Sequence, residues 1–460
     1  MATIPYLIVS PNTIISILGL IHGPDKTVPT PVEDWREAKV DVVIPAFNEE
    51  RNIPLCLASI AKQTLRPRRI ILIDDGSHDK TSEYAKAFCE LNEMEILIIK
   101  RKAPIGKTPT VKRQAREFDS DVEFILDGDT ILESENYIER TVQELYQGVG
   151  IACACGTILP LRNRDRKALL DTPFVKKFSA ANPDAPIHPK SISWLRRSQR
   201  SLTNLYRDIL YTFLQRFVYL GQMVFFGSIL SPVGCAVAYR RKYVKDLFDK
   251  YEPVLGDNFT NSEDIFIGFA LVNQGYRNIQ LTDVYARSEE PEARALPKQL
   301  YMWSSSFLQS CFYFDALLHS PFKAFKRYRQ RRLAKKMKVD EMRHIKEAYR
   351  QAFGTDYTKK YGRPLGWVFF TSAIEKIYFP TALLIMMLLC SWKAVGMTLL
   401  VETVLALTIL TIIAKGQRLE YLLKGVIMSP IRYLPVLFDL ATIALFFLHV
   451  RVFNNRNWHK

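Results

Sequence analysis

The sequence predicts an α/β domain, a mostly parallel sheet with helices on both faces, followed by an α-helical membrane region with interfacial helices. Three observations predict it. Between Val40 and Leu126, short aliphatic runs alternate with segments of helical apolar spacing, the pattern of parallel strands buried on both faces. Two of those runs end in acids, at Asp74-Asp75 and at Asp127-Gly128-Asp129. Residues 366–460 are mostly apolar and hold few acids. With 460 residues the chain has room for two or three domains. Its net charge of +16 calls for an acidic partner, which could be nucleotide phosphate, anionic lipid or nucleic acid. The seven cysteines show neither regular pairing nor metal-ligand spacing and read as reduced thiols. Cys153 and Cys155, alternating with alanines, suit one face of a strand.

Residues 1–39 form an N-terminal segment and linker. Its apolar part, Tyr6 to Ile21, is interrupted by Pro11 and shorter than the roughly 20 residues of a full span, so an interfacial or re-entrant helix is expected. The α/β domain is expected over residues 40–300. Val42 to Ile44 reads as a buried strand ending at Pro45, and Ile53 to Ala61 as a helix. Arg69 to Ile73 is a second strand, Thr81 to Leu91 a helix, and Glu95 to Ile99 a third strand. Lys112 to Phe118 has helical spacing, and Val122 to Leu126 is the fourth strand. Ligands of open α/β sheets bind at the carboxyl ends of strands, where both acidic clusters fall. Asp127 and Asp129, one glycine apart, repel unless a cation lies between them, which suits a hard divalent ion and a diphosphate. Asp-Gly is also a common hairpin turn. Neither G-x-G-x-x-G nor G-x-x-x-x-G-K-[ST] occurs at the expected places.

These residues resemble a family. Ile44-Pro45-Ala46-Phe47-Asn48-Glu49-Glu50, then Ile73-Asp74-Asp75-Gly76-Ser77, then Asp127-Gly128-Asp129 are similar to the opening motifs of family 2 inverting glycosyltransferases of the GT-A fold. The resemblance implies that Pro45, Ala46, Asn48, Glu49 and Asp75 contact the nucleotide. It also implies that Asp127, Gly128 and Asp129 meet the diphosphate through Mn2+ or Mg2+, with Asp129 and Asp127 as the metal ligands. Lys107, in Ile105-Gly106-Lys107, is similar to the family's Gly-Lys near the nucleotide, without the residues that usually follow it.

Later segments extend the likeness. Gly234-Cys235-Ala236-Val237-Ala238-Tyr239-Arg240-Arg241 resembles a Tyr-Arg-Arg segment of membrane polysaccharide synthases of the hyaluronan, chitin and cellulose type. Arg240 and Arg241 could serve a diphosphate there, or simply end an edge strand. Ser262-Glu263-Asp264 precedes an apolar helix. Ser262 could cap it, with both acids favourable in the first turn; the resemblance makes Asp264 the general base and sets Glu263 beside it. Gln299 and Trp303 match a Q-x-x-R-W motif of processive members, but Met302 stands where the arginine is expected. A diphosphate contact from that position would have to come from Arg240, Arg241, Arg294 or Lys298. Trp303 offers a face for an acceptor sugar, or an anchor at lipid headgroups.

Residues 160–204 read as an irregular insertion over the site. Leu205 to Leu230 is apolar but holds charges, which predicts a surface helix or a buried core helix rather than a span. Residues 301–365 read as interfacial and basic helices, because 323–338 carry nine Lys or Arg and no acid. Such a run is cytoplasmic and lipid-facing, or a nucleic-acid site. Met342, Ile345, Tyr349 and Phe353 add helical spacing. Two spans are expected, from about Trp367 to Cys390 with Glu375-Lys376 as an internal charge pair, and from Ala394 to Ile413. Residues 426–450 predict a bent helix that lies in the interface or re-enters from it. Trp458 resembles the gating-loop tryptophan of such synthases.

Together these imply a metal-dependent, multi-pass enzyme of the plasma (inner) membrane with a cytosolic catalytic domain. It would pass sugar from a UDP-sugar to a growing polysaccharide, with an oligomer or an export subunit completing the channel. A non-processive transferase acting on a lipid (polyprenyl phosphate, ceramide or diacylglycerol) is the alternative. A tethered nucleotide-sugar sensor or nucleic-acid adaptor would need no such set of acids, so a nucleic-acid partner is not expected.

Overall fold

The computed structural model describes residues 10–23, 34–147, 150–188, 194–249, 260, 262–336, 352–414 and 416–448. Its centre is an eight-stranded sheet of order β3-β2-β1-β4-β7-β6-β8-β5. The strands are β1 (Val40–Ala46), β2 (Arg69–Asp74), β3 (Ile96–Lys100), β4 (Val122–Leu126), β5 (Thr130–Leu132), β6 (Ile151–Pro160), β7 (Ala236–Arg240) and β8 (Arg277–Ser288). Side chains alternate between the faces of a strand, and both faces here are covered. Val42, Ile44, Leu72 and Phe124 pack under the helices Ile53–Ala61, Thr81–Leu91 and Tyr137–Leu145. Val43, Ile71, Ile73 and Ile125 pack under Lys107–Glu117 and Glu263–Gln274. Cys153 and Cys155 lie buried on one face of β6, and all seven cysteines are free thiols.

The sheet is mixed, with a parallel half. β3, β2, β1 and β4 run parallel, but β7 is antiparallel to both β4 and β6. The helix expected from Lys112 begins at Lys107. Gly106, with φ 93°, turns the chain into it, and the polar first turn hides the helical period from a reading of apolar spacing. Residues 160–204 are not irregular throughout: helices span Asn163–Leu170 and Pro173–Ala181, the second started by its N-terminal proline.

The segment expected as a surface or core helix is one long rod. Trp194–Phe213 continues through a π turn, Leu214–Val218, into Tyr219–Phe226. Gln215 docks it on β6, accepting from Ile158 N at 2.8 Å and donating to Ile158 O at 2.8 Å. The stretch Arg197–Phe226 is also long and apolar enough to cross a membrane, as are Gly366–Leu388 and Trp392–Ile413. Arg418–Met428 and Ile431–Phe447 form a pair bent by 63°, the bend expected over 426–450. Pro11 does not interrupt the first helix but opens it, at Pro11–His22. That helix packs on Tyr219–Phe226, where a Cβ on Gly19 would meet the Gly221 Cα at 2.7 Å.

Glu375 and Lys376 do not pair with each other, because successive residues of a helix point in different directions. Glu375 accepts from the Asn12 side chain at 3.0 Å, and Lys376 reaches Asp439 of the bent pair at 2.6 Å. The basic run forms the helix Ala324–Lys336, with Phe325 and Tyr328 exposed. Met342, Ile345 and Tyr349 lie outside the described residues; Phe353 stacks on Tyr276 at 5.0 Å.

Candidate active site

A cavity of about 880 Å³ opens at the carboxyl ends of β1, β2 and β4. Pro45 and Ala46 line it from the end of β1 and Glu49 from the loop after it, Asp75 from the loop after β2, and Asp127, Gly128 and Asp129 from the loop after β4. Thus the three acidic motifs, separate in sequence, share one wall. Asn48 is different. It sits at φ 58°, a conformation asparagine tolerates, and turns into the second loop. Its N–H donates to Ser77 Oγ at 2.9 Å, and its Oδ1 accepts from His78 N at 2.9 Å. Asp75 accepts from Ile105 N at 3.0 Å and Gly106 N at 2.8 Å and pairs with Arg101 at 2.8 Å.

Gly128 lets this wall close. A Cβ there would lie 3.3 Å from Ala46, Glu49 and Ile53 side-chain atoms. Asp129 accepts from the Thr130 hydroxyl at 3.1 Å. Burial, then the charges of Asp127 and Glu49, push its carboxyl well above the usual range. Burial pushes Glu49 up to about 7, with Glu289 and Asp127 adding to it against the Asn52 hydrogen bond. Among the described residues no three His, Cys, Asp or Glu side chains form a cluster that could by itself hold a metal ion. The acids nonetheless fit a cation: Asp127, Asp129 and Glu49 crowd negative charge together, and phosphate oxygens could complete the coordination that protein ligands leave open.

Lys107 ties this wall to the next motif. Its Nζ lies 2.7 Å from Asp127 Oδ1 and 2.9 Å from Glu263 Oε1, and donates to Gly234 O at 3.0 Å. Burial opposes its charge, but Asp127, Glu263 and Asp264 hold the ammonium well above its ordinary value. Asp264 stands in the first turn of the helix Glu263–Gln274 and accepts from Gly234 N at 3.0 Å and Ile265 N at 2.8 Å. Ser262 stands at the N-cap, yet its hydroxyl donates to the Asp264 carboxylate rather than capping the helix. Burial, then Glu263, pushes Asp264 up to about 6. Asp264 is not among the residues that line the large cavity; its charge acts on Lys107, which is.

The other end of the site departs from expectation. Arg240 and Arg241 lie at the opposite edge of the sheet. Because β7 is antiparallel, Arg240 pairs with Val122 at the start of β4, and Gly234-Cys235 is the end near the acids. The Arg240 guanidinium stacks on Tyr146 at 3.8 Å, and Arg241 Nε donates to Ala115 O at 2.7 Å. Lys298 lines the acidic cavity, and so does Arg113, which spacing alone did not single out. Gln299 and Trp303 are on the same helix as Lys298, Leu296–Tyr313. Both are held by Arg207 of the long rod, which donates to Gln299 Oε1 and stacks on the Trp303 ring at 4.4 Å. Arg207 was also unassigned by motif; its signal was a charge inside an apolar stretch, which needs a partner. Trp458 lies outside the described residues.

The cavity and its acids define the class, an α/β domain with an acidic pocket at the carboxyl ends of its parallel strands, where such sheets bind ligands. Residues 41–248 match the family model described as glycosyl transferase family 2, and the chain carries a family 2 glycosyltransferase domain there. It is similar to an N-acetylglucosaminyltransferase of Azorhizobium caulinodans, 24% identical over 58% of this chain and 59% of that one. It is similar to an undecaprenyl-phosphate 4-deoxy-4-formamido-L-arabinose transferase of Photorhabdus laumondii, 33% identical over 25% of this chain and 35% of that one. The chain spans less than two thirds of the length of these relatives. Among solved structures it is similar to a mannosyltransferase of Pyrobaculum calidifontis in complex with GDP-Man and Mn2+, with TM-score 0.45 and 13% identity over 91% of this chain and 99% of that one.

Proposed function

We propose that the protein transfers a sugar, with inversion, from a UDP-sugar to a hydroxyl acceptor presented beside a membrane. One observation carries the reading: Asp127, Glu263 and Asp264 converge on Lys107 at the rim that Asp75 and Asp129 share. The acceptor hydroxyl attacks the anomeric carbon, the bond from that carbon to the diphosphate oxygen breaks, and the proton passes to Asp264. A positioned base of this kind contributes about 10²–10⁴-fold. Lys107, Arg113 and Lys298 supply positive charge toward the leaving nucleoside diphosphate. Asp129 and Asp127 would hold Mn2+ or Mg2+, which neutralises charge on the departing diphosphate when bound. Only one protein acid–base group is required, unlike the two carboxyl groups of a glycoside hydrolase.

For the acceptor we propose a growing polysaccharide, laid on Trp303 and leaving past the apolar helices. This places the enzyme in the plasma (inner) membrane with its catalytic domain in the cytosol, next to the basic helix Ala324–Lys336. Met302 favours a second reading, single transfer to a lipid-linked acceptor, which the likeness to an undecaprenyl-phosphate transferase also supports. Detergent-solubilised protein separates them: a ladder of products supports the polymer, a single-sugar lipid the alternative. Nucleotide release screened over donor sugars in Mg2+ and in Mn2+ tests the class, and no release from any donor ends the reading.

A further inference from the structure

Arg207 carries a full charge yet has 0% exposed surface, inside a rod apolar enough to cross a membrane. Glu290 Oε2 lies 3.1 Å from its Nε, Gln299 accepts from its Nη2, and the Trp303 ring lies 4.4 Å from the guanidinium carbon. One polar partner is the sequence neighbour of a residue that lines the donor cavity, and the other of a residue bonded to that lining. Glu290 follows Glu289, whose N–H donates to the Asp129 carbonyl at 3.1 Å. Gln299 follows Lys298, which lines the cavity. The next residue of the rod, Asp208, pairs with Arg162 at 2.7 Å and with Lys424 of the bent pair at 2.6 Å.

A buried ion pair adds little stability over apolar packing of the same volume. What a guanidinium adds is geometry: directed bonds from one rigid plane and a flat face for an indole. Met302 leaves the neighbouring position without an arginine. We propose that Arg207 is the positioning residue of the acceptor end, fixing Gln299 and Trp303 against the donor cavity from a separate helix. The inference rests on the glycosyltransferase reading above. Arg207 acts through Trp303 rather than on the reacting atoms.

The test uses the full chain in detergent, with Arg207→Lys, Trp303→Ala and the double variant. Lysine keeps the charge beside Glu290 and loses the plane and the second bond. Three quantities are read: transfer to acceptor, nucleotide release to water without acceptor, and nucleotide affinity by calorimetry. Arg207→Lys is expected to lower transfer about tenfold or more, as small misplacements do. Affinity and release to water are expected to stay within about twofold, and the double variant to be no worse than Trp303→Ala, since residues acting as one unit are not additive. Wild-type transfer by Arg207→Lys overturns the inference, as does an equal fall in nucleotide affinity, or losses that multiply in the double variant. If wild-type protein turns over and Arg207→Lys matches it, this inference alone fails. If wild-type protein releases nucleotide from no donor, the enzymatic reading fails and this inference falls with it.

Discussion

Gly234 and Asp264 touch so closely that no other residue fits at 234: a Cβ there would lie 2.5 Å from the Asp264 Cβ and 2.6 Å from its Oδ2. The Gly234 N–H meanwhile donates to that same oxygen at 3.0 Å. The end of one loop thereby fixes the carboxylate proposed as base. Gly234→Ala is expected to push Asp264 aside and lower transfer by about 10²-fold while nucleotide affinity, read by calorimetry, changes little. Wild-type turnover by the alanine variant would remove Asp264 from its role.

Asp264 must be ionised to accept a proton, and its carboxyl is pushed up to about 6 by burial and by Glu263. Transfer is therefore expected to be full above that value and to fall as pH drops through it, seen in kcat/KM across pH 5 to 8, roughly the range where such a group titrates. Asp264→Asn should abolish transfer and keep UDP-sugar binding. A flat pH profile down to about pH 5 would contradict the assignment.

Burial, then the charges of Asp127 and Glu49, push the Asp129 carboxyl above its usual range, and a bound cation would relieve that crowding. Asp129→Ala is expected to bind UDP equally with and without Mn2+, whereas the wild type should bind more tightly when the metal is added. Calorimetric titration of UDP, with Mn2+ or with EDTA, reads this directly. An unchanged metal effect in the variant would move the metal site elsewhere.

Lys376 and Asp439 pair at 2.6 Å between the helix Gly366–Leu388 and the bent pair. Asp439→Asn leaves the ammonium without its counter-charge, a loss that the proposed membrane setting puts at about 1–2 kcal/mol. The melting temperature in detergent is expected to fall. Lys376→Met with Asp439→Leu should recover most of it, because both charges leave together. Independent, additive losses would show that the pair is not an interaction.

Much of the fold was legible before any coordinates. The aliphatic runs at Val42, Ile70 and Phe124 named three parallel strands, because a strand buried on both faces has a composition of its own. The loops ending in Asp75 and Asp127 followed from where those strands stop. The start of the helix at Lys107 was hidden, since its first turn is polar and Gly106 makes the entry.

What the sequence by itself determined is the set of chemical groups: the acids, the lysine, the unoccupied arginine position at Met302, and an apolar end. What only the tertiary structure decided is which groups meet. β7 runs antiparallel, so Arg240 and Arg241 go to the far edge and Gly234 comes to Asp264. Arg207, distant in sequence, reaches Gln299 and Trp303. Strand direction and helix crossing depend on contacts between remote segments, which a local pattern of residues does not contain.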